Sequence, residues 1–150
     1  MREGDAEAMA GVYERAVRDI GARYYSAEQV VAWVGQGSRA ERFRRKITDG
    51  RRGWVAVDQA NRVTGFADLE ADGHIDLVYV DPAVAGQGVA TLMLDELENA
   101  ARSTGITRLF VEASEPARRM FERRGYTVTA RRDFEIGGVA IHNYAMERTL

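Results

Sequence analysis

Two glycines, Gly86 and Gly88, follow a β-branched stretch ending at Val80 and lead into a run whose Leu92, Leu94, Leu97 and Ala101 recur at roughly helical spacing. A strand that turns through glycines into a helix leaves amide N–H groups without internal acceptors, at the positive end of the helix dipole. Phosphate oxygens suit such a cluster, and glycine lets them approach with no Cβ in the way. The turn alone reads equally well as a plain strand-to-helix connection. It is not a nucleotide-hydrolase loop, because Val89 and Ala90 stand where Lys and Ser or Thr would follow Gly88. Nor is it a dinucleotide fingerprint, which would need a third glycine at Thr91. Just upstream, His74 and Asp76 lie two apart on one strand and share a face with Val78 and Val80. An imidazole suits base work near neutral pH, although His74 also reads as a solvated residue after the turn at Asp72 and Gly73. An acid in an apolar strand is costly to bury unpaired, so Asp76 reads as a base, a grip for a cationic substrate, or a structural carboxylate.

The elements that must hold these residues are legible at low resolution. Asp5 can cap a helix with Met9, Val12, Tyr13, Ala16, Val17 and Ile20 on one face. Ser26 with Gln29 and Ser38 with Glu41 match capping boxes and open two short helices, separated by Gly35 and Gly37. Paired strands are expected over 51–58 and 62–70, a third over 74–80, then a helix from the glycine turn to about Thr104. A strand over 108–112, a helix over 115–124 and two last strands around Gly137 and Gly138 complete the chain. This is a mixed α+β order in a single domain, 1–150.

Composition narrows the function classes. A formal net charge of −2 announces neither a nucleic-acid nor a membrane partner. With no cysteine, disulfides, thiol catalysis and cysteine-held metal are excluded, and two distant histidines, His74 and His142, make a zinc centre unexpected. No apolar run is long enough to span a bilayer and the opening residues do not read as a signal peptide, so a cytoplasmic protein is expected. The basic residues Arg39, Arg42, Arg44, Arg45 and Lys46 read as a grip for a phosphate or an acidic partner or as a solvated helix face, and the solvated face is expected because Glu41 and Asp49 interrupt them.

Two motifs in order carry a resemblance. Val80-x-Pro82-x-x-x-Gly86-x-Gly88-Val89-Ala90, followed by the strand over 108–112 and then Ala117, Phe121, Gly125 and Tyr126, resembles the GNAT superfamily of acyl-CoA-dependent N-acetyltransferases. The resemblance implies a GNAT fold: a mostly antiparallel, twisted central sheet flanked by helices, in which the strand ending at Val80 splays from the one at 108–112. The family's first edge strand has too few residues ahead of Asp5; either the fold lacks it or the true start lies upstream. Acetyl-CoA is the implied co-substrate, with no metal, and a small-molecule or peptide amine is the acceptor. Homodimerisation is a further implication.

The implied site is assigned residue by residue. Gly86, Gln87, Gly88, Val89, Ala90 and Thr91 hold the CoA pyrophosphate. The backbone of Val78, Tyr79 and Val80 lies along the acyl arm, with the N–H of Val80 or a neighbour polarising the thioester. His74 falls near a family glutamate that deprotonates the amine. Ser114 stands where the family carries Asn, and Phe121 replaces the tyrosine that protonates the leaving sulfur, so Tyr144 is the expected substitute acid. Arg124 is an expected cofactor contact, and Tyr24, Tyr25 and Trp33 wall the acceptor site. The expected chemistry is direct attack of the amine within a ternary complex. The missing tyrosine keeps a non-catalytic acyl-CoA-binding module as the alternative. A nucleic-acid-binding domain built on the arginines is disfavoured by the net negative charge.

Overall fold

The computed structural model describes residues 1–35 and 38–150, so Gly37 lies outside the described residues. The elements run α1 (Ala6–Arg15), α2 (Ala27–Val34), α3 (Arg39–Ile47), β1 (Arg52–Val57), β2 (Val63–Leu69), β3 (His74–Ile75), β4 (Val78–Val80), α4 (Val89–Ser103), β5 (Arg108–Ala113), α5 (Glu115–Arg123), β6 (Thr127–Ile136) and β7 (Val139–Thr149). The mixed α+β order expected from the sequence holds. Ahead of α1 the described residues form a short 3-10 turn, Glu3–Asp5, rather than a strand. The Met1 ammonium donates to Gly53 O on β1 at 2.8 Å.

Local chemistry explains most helix ends. Ser26 Oγ accepts from Gln29 N at 3.2 Å while Gln29 Oε1 accepts from Ser26 N at 2.9 Å, the full capping box. Ser38 Oγ accepts from Glu41 N at 3.3 Å. Asp5 departs from expectation. It already has helical backbone angles as the last residue of the 3-10 turn, so its carboxylate turns back to accept from Arg2 N at 2.7 Å and makes no cap bond to α1. On α4, Leu94, Leu97 and Ala101 are buried as the spacing requires, whereas Leu92 faces solvent, 62% exposed.

The strands form two sheets, ordered β1-β2-β4 and β3-β5-β7-β6. All pairings are antiparallel except β3 with β5, which run parallel through His74 opposite Phe110 and Ile75 opposite Val111. Side chains alternate across β2, so Phe66 enters the apolar layer under α1–α3 while Ala67 and Leu69 enter the layer under α4 and α5. Each fully buried leucine of that second layer, such as Leu94 or Leu97, contributes about 1.5–3 kcal/mol by leaving water.

The single strand expected over 74–80 is two strands. β3 pairs with β5, β4 pairs with β2, and the chain changes partner at Asp76 and Leu77. The cause is Asp68, fully buried on β2, whose Oδ1 accepts from Asp76 N at 3.1 Å and Leu77 N at 2.8 Å. A side chain thus satisfies two amides at the switch. From that point β4 and β5 are no longer paired, and a gap opens between the two sheets.

Candidate functional site

Two cavities meet at this gap. A groove of about 400 Å³ runs from Gly86, Gly88, Val89, Ala90 and Thr91 past Val80 and Met120 to the gap. A second cavity of about 520 Å³ opens on the other side, walled by residues of α2, α3, β4, β5 and β7. Trp33, Val78, Tyr79, Ser114 and Ala117 line both, so a molecule threading the gap would touch the two chambers at once.

At the groove's far end, Gly86 and Gly88 have φ of +79° and +86°, a left-handed backbone that side-chain-bearing residues avoid. A Cβ at either position would meet open space, so the surface there is uncovered. Among the described residues, the N–H groups of Gly86, Gly88, Val89, Ala90 and Thr91 have no protein acceptor, and the first return bond of α4 is Leu92 N to Gly88 O at 3.0 Å. Five free donors at the start of a 15-residue helix fit a diphosphate. Gln87 points elsewhere: its N–H bonds Val84 O at 3.2 Å and its Nε2 bonds Ala83 O at 3.2 Å, bracing the turn.

Along β4 the ladder parity matters. Asp81 N bonds Thr64 O and Asp68 N bonds Leu77 O, so the hydrogen-bonded partner of β2 within β4 is Tyr79, opposite Phe66. The peptide groups of Val78 and Val80 therefore point away from β2, toward the gap, as fixed donors. Tyr79 lines both cavities, and burial pushes its phenol well above the usual tyrosine range, so it stays protonated.

The switch point is anchored by charge. Arg51 Nη1 donates to Asp68 Oδ2 at 2.6 Å and Asp76 Oδ2 at 2.8 Å, and Nη2 pairs with Asp49 at 2.7 Å and Glu70 at 3.0 Å. Lys46 Nζ also bonds Asp76. Burial opposes the charge on Asp76, but hydrogen bonds from Lys46 and Arg51 outweigh it and hold the carboxyl below its ordinary value. Asp76 lines the larger cavity, yet both its cationic neighbours draw on its basicity.

His74 lines neither cavity. Its ring stacks on Phe110 at 4.9 Å and its Nε2 lies 2.7 Å from Glu112 Oε2, because β3 pairs beside β5 before the gap opens. A different histidine reaches the cavity wall. His142 on β7 lies beside α5, with Nε2 3.1 Å from Glu115 Oε2. That hydrogen bond chiefly, against a smaller opposing effect of burial, keeps Glu115 below the usual carboxylate range. A carboxylate only accepts, so Nε2 is the donor and Nδ1 is the basic nitrogen of the neutral ring. Tyr25 ties the same corner together: its hydroxyl accepts from Glu115 N at 2.8 Å and donates to His142 O at 3.1 Å.

The remaining expected residues separate. Ser114, Tyr25 and Trp33 are on the walls, whereas Tyr24 is 40% exposed and lines neither cavity. Phe121 is in the core, edge-on to Tyr126 at 4.9 Å, and reaches only the wall of the larger cavity. Tyr144 lines neither cavity and lies under the Arg118 guanidinium, 4.6 Å from it. Arg124 is held by Asp95 at 2.6 Å and Glu98 at 3.0 Å, and Arg123 lines the groove in its place. Arg123 follows Pro116 and Met120 at helical spacing, a signal that would have found it. His142 and Glu115 are 27 residues apart and carried no local signal. No cluster of metal-ligating side chains occurs among the described residues.

Comparison with known proteins agrees with this geometry. The family model for the acetyltransferase (GNAT) domain matches residues 22–148. A GCN5-related N-acetyltransferase (aminotransferase, class II) from Rhodopseudomonas palustris superposes with a TM-score of 0.90 at 32% identity, covering 98% of this chain and 91% of that one. The uncharacterized N-acetyltransferase YafP of Escherichia coli is 29% identical over 95% of this chain and 89% of its own. The fold is shared with PaiA N-acetyltransferase of Thermoplasma acidophilum, solved in complex with coenzyme A: TM-score 0.79, 17% identity, 100% of this chain and 96% of that one.

Proposed function

The chain belongs to the GNAT acetyltransferase family, and from that premise we propose that it moves an acetyl group from acetyl-CoA to a primary amine by direct attack in a ternary complex. The observation that carries this reading is the gap between β4 and β5, with free amides in the groove on one side and a walled cavity on the other. Acetyl-CoA supplies an activated thioester. The amides of Gly86, Gly88, Val89, Ala90 and Thr91 hold its pyrophosphate, and the pantetheine arm lies in the gap like an added strand against Val78 and Val80. An N–H of one of these valines donates to the thioester oxygen as it gains charge. Strand-held donors need no reorganisation at that moment.

The acceptor amine arrives through the larger cavity. An alkylammonium must first lose a proton, and His142 is the group placed to take it, oriented by Glu115 and Tyr25. The amine nitrogen then bonds the acetyl carbon as the carbon–sulfur bond breaks, and the second proton of that nitrogen passes to water as the amide forms. Phe121 has no proton for the sulfur and Tyr144 stands outside the cavities, so sulfur leaves as thiolate near the start of α5 at Ser114. A thiol's ordinary pKa of about 8.5 makes this tolerable beside a positive helix end.

Release of free thiol from acetyl-CoA across a panel of primary amines tests the reading. Turnover is expected, with His142→Ala lowering kcat by about 10²–10⁴-fold while the KM for acetyl-CoA stays within about threefold. Bound cofactor without thiol release for any amine would contradict transfer. A larger loss in His74→Ala than in His142→Ala would contradict the assignment of the base.

A further inference from the structure

The larger cavity carries an imbalance that acetyl transfer by itself does not require. Its acidic wall groups are all matched: Asp76 by Lys46 and Arg51, Glu112 by His74 and Arg132. Its arginines are not. Arg39 and Arg42, three apart on the first turns of α3 and so on one face, both line the cavity, and among the described residues neither has an acidic partner. The other basic residues of this helix with resolved contacts are spent, Arg44 on Glu7 and Lys46 on Asp76. The expected single solvated face therefore divides into paired cations and two that border the cavity.

Two buried polar atoms on this wall are also unused. Arg39 Nε has no acceptor while its guanidinium rests over the Tyr13 ring at 5.4 Å, and Asn143 Oδ1 has no donor. An unsatisfied buried polar atom is costly unless a ligand completes it. One orphan is a cationic donor suited to bidentate recognition of a carboxylate. The other is an acceptor on β7, leaving the strand on the face opposite His142. The volume of about 520 Å³ is that of a small-molecule chamber.

Building on the transfer reading above, we propose that the acceptor is an amino-acid-like small molecule whose carboxylate binds Arg39, with Arg42 adding charge, and whose amine faces His142. The two arginines then set specificity, selecting amines that carry an anionic group.

The test uses matched pairs: glycine, phenylalanine and γ-aminobutyrate, each against its primary carboxamide. Thiol release gives kcat/KM for every member, and calorimetry on the CoA-loaded protein gives equilibrium binding of the same compounds. For at least one pair the carboxylate is expected to be favoured about tenfold or more in kcat/KM, the effect of roughly one charge-assisted contact. Arg39→Gln is expected to bring that preference within about twofold, and Arg42→Gln to lower it partway, with the KM for acetyl-CoA unchanged. Equal or better use of every carboxamide, or a preference that survives both substitutions, overturns the proposal. If no amine is acetylated, the transfer reading fails, while binding still decides the anion site. Carboxylate binding that Arg39→Gln or Arg42→Gln abolishes supports it, and no binding of any carboxylate overturns it.

Discussion

Arg51→Met is expected to cost about 3–5 kcal/mol of unfolding free energy at neutral pH, the range for removing one partner of a buried ion pair. The Arg51 side chain is only 7% exposed and its partner Asp68 is fully buried, so solvent cannot replace the lost guanidinium. Asp68 is also the residue whose other oxygen ties down the amides of Asp76 and Leu77, where the chain changes sheets. The pH dependence has a definite sign. Burial raises the Asp68 carboxyl above its ordinary 3.8, and Arg51 pulls it back; without Arg51 the folded value rises further. A carboxyl whose folded pKa exceeds its unfolded one favours the folded state only when protonated. The penalty should therefore be full above the folded pKa, shrink as pH falls through it, and vanish below about 3.8, the unfolded value. Urea unfolding at a series of pH values measures this. A cost below about 1 kcal/mol, or one that grows on acidification, would show that the cluster does not anchor the switch.

Gly88→Val is expected to weaken acetyl-CoA binding by about 100-fold or more while leaving the fold intact. At φ +86° a β-branched residue is strained, and relief moves the amides of the turn that begins α4. Losing two charge-assisted hydrogen bonds of about 1.5–3 kcal/mol each exceeds a hundredfold in affinity. Gly105→Val supplies the control, because Gly105 has φ +77°, has open space around its Cβ position, and lies at the opposite end of α4. Both variants should lose comparable stability, but only Gly88→Val should lose cofactor affinity, read by calorimetry. Equal affinity in the two would make the turn merely structural.

The glycine turn was legible in the sequence because its chemistry is local: a strand, left-handed glycines and a helix start lie within a dozen residues. The helices of the site were legible for the same reason, through the Ser26 box and the apolar stripe of α4. Asp76 was recognisable as an acid in need of company, but its company sits on α3 and just ahead of β1, at distances no local pattern reports. The break between β3 and β4 was hidden because Asp68, eight residues upstream of Asp76, causes it with a side chain rather than through backbone propensity. His74 drew attention by sharing a strand with Asp76, whereas His142 gains its position only when β7 closes against α5. Arg39 and Arg42 share a basic helix with Arg44 and Lys46, and only the tertiary ion pairs to Glu7 and Asp76 set them apart.

Cofactor capture rests on backbone amides rather than side chains, and amide-resolved NMR during titration with coenzyme A examines them directly. The largest shifts are predicted at Gly86, Gly88, Val89, Ala90 and Thr91, with a second set at Val78 and Val80, where the arm would lie. Saturable binding that leaves these amides unmoved and perturbs another surface would contradict it.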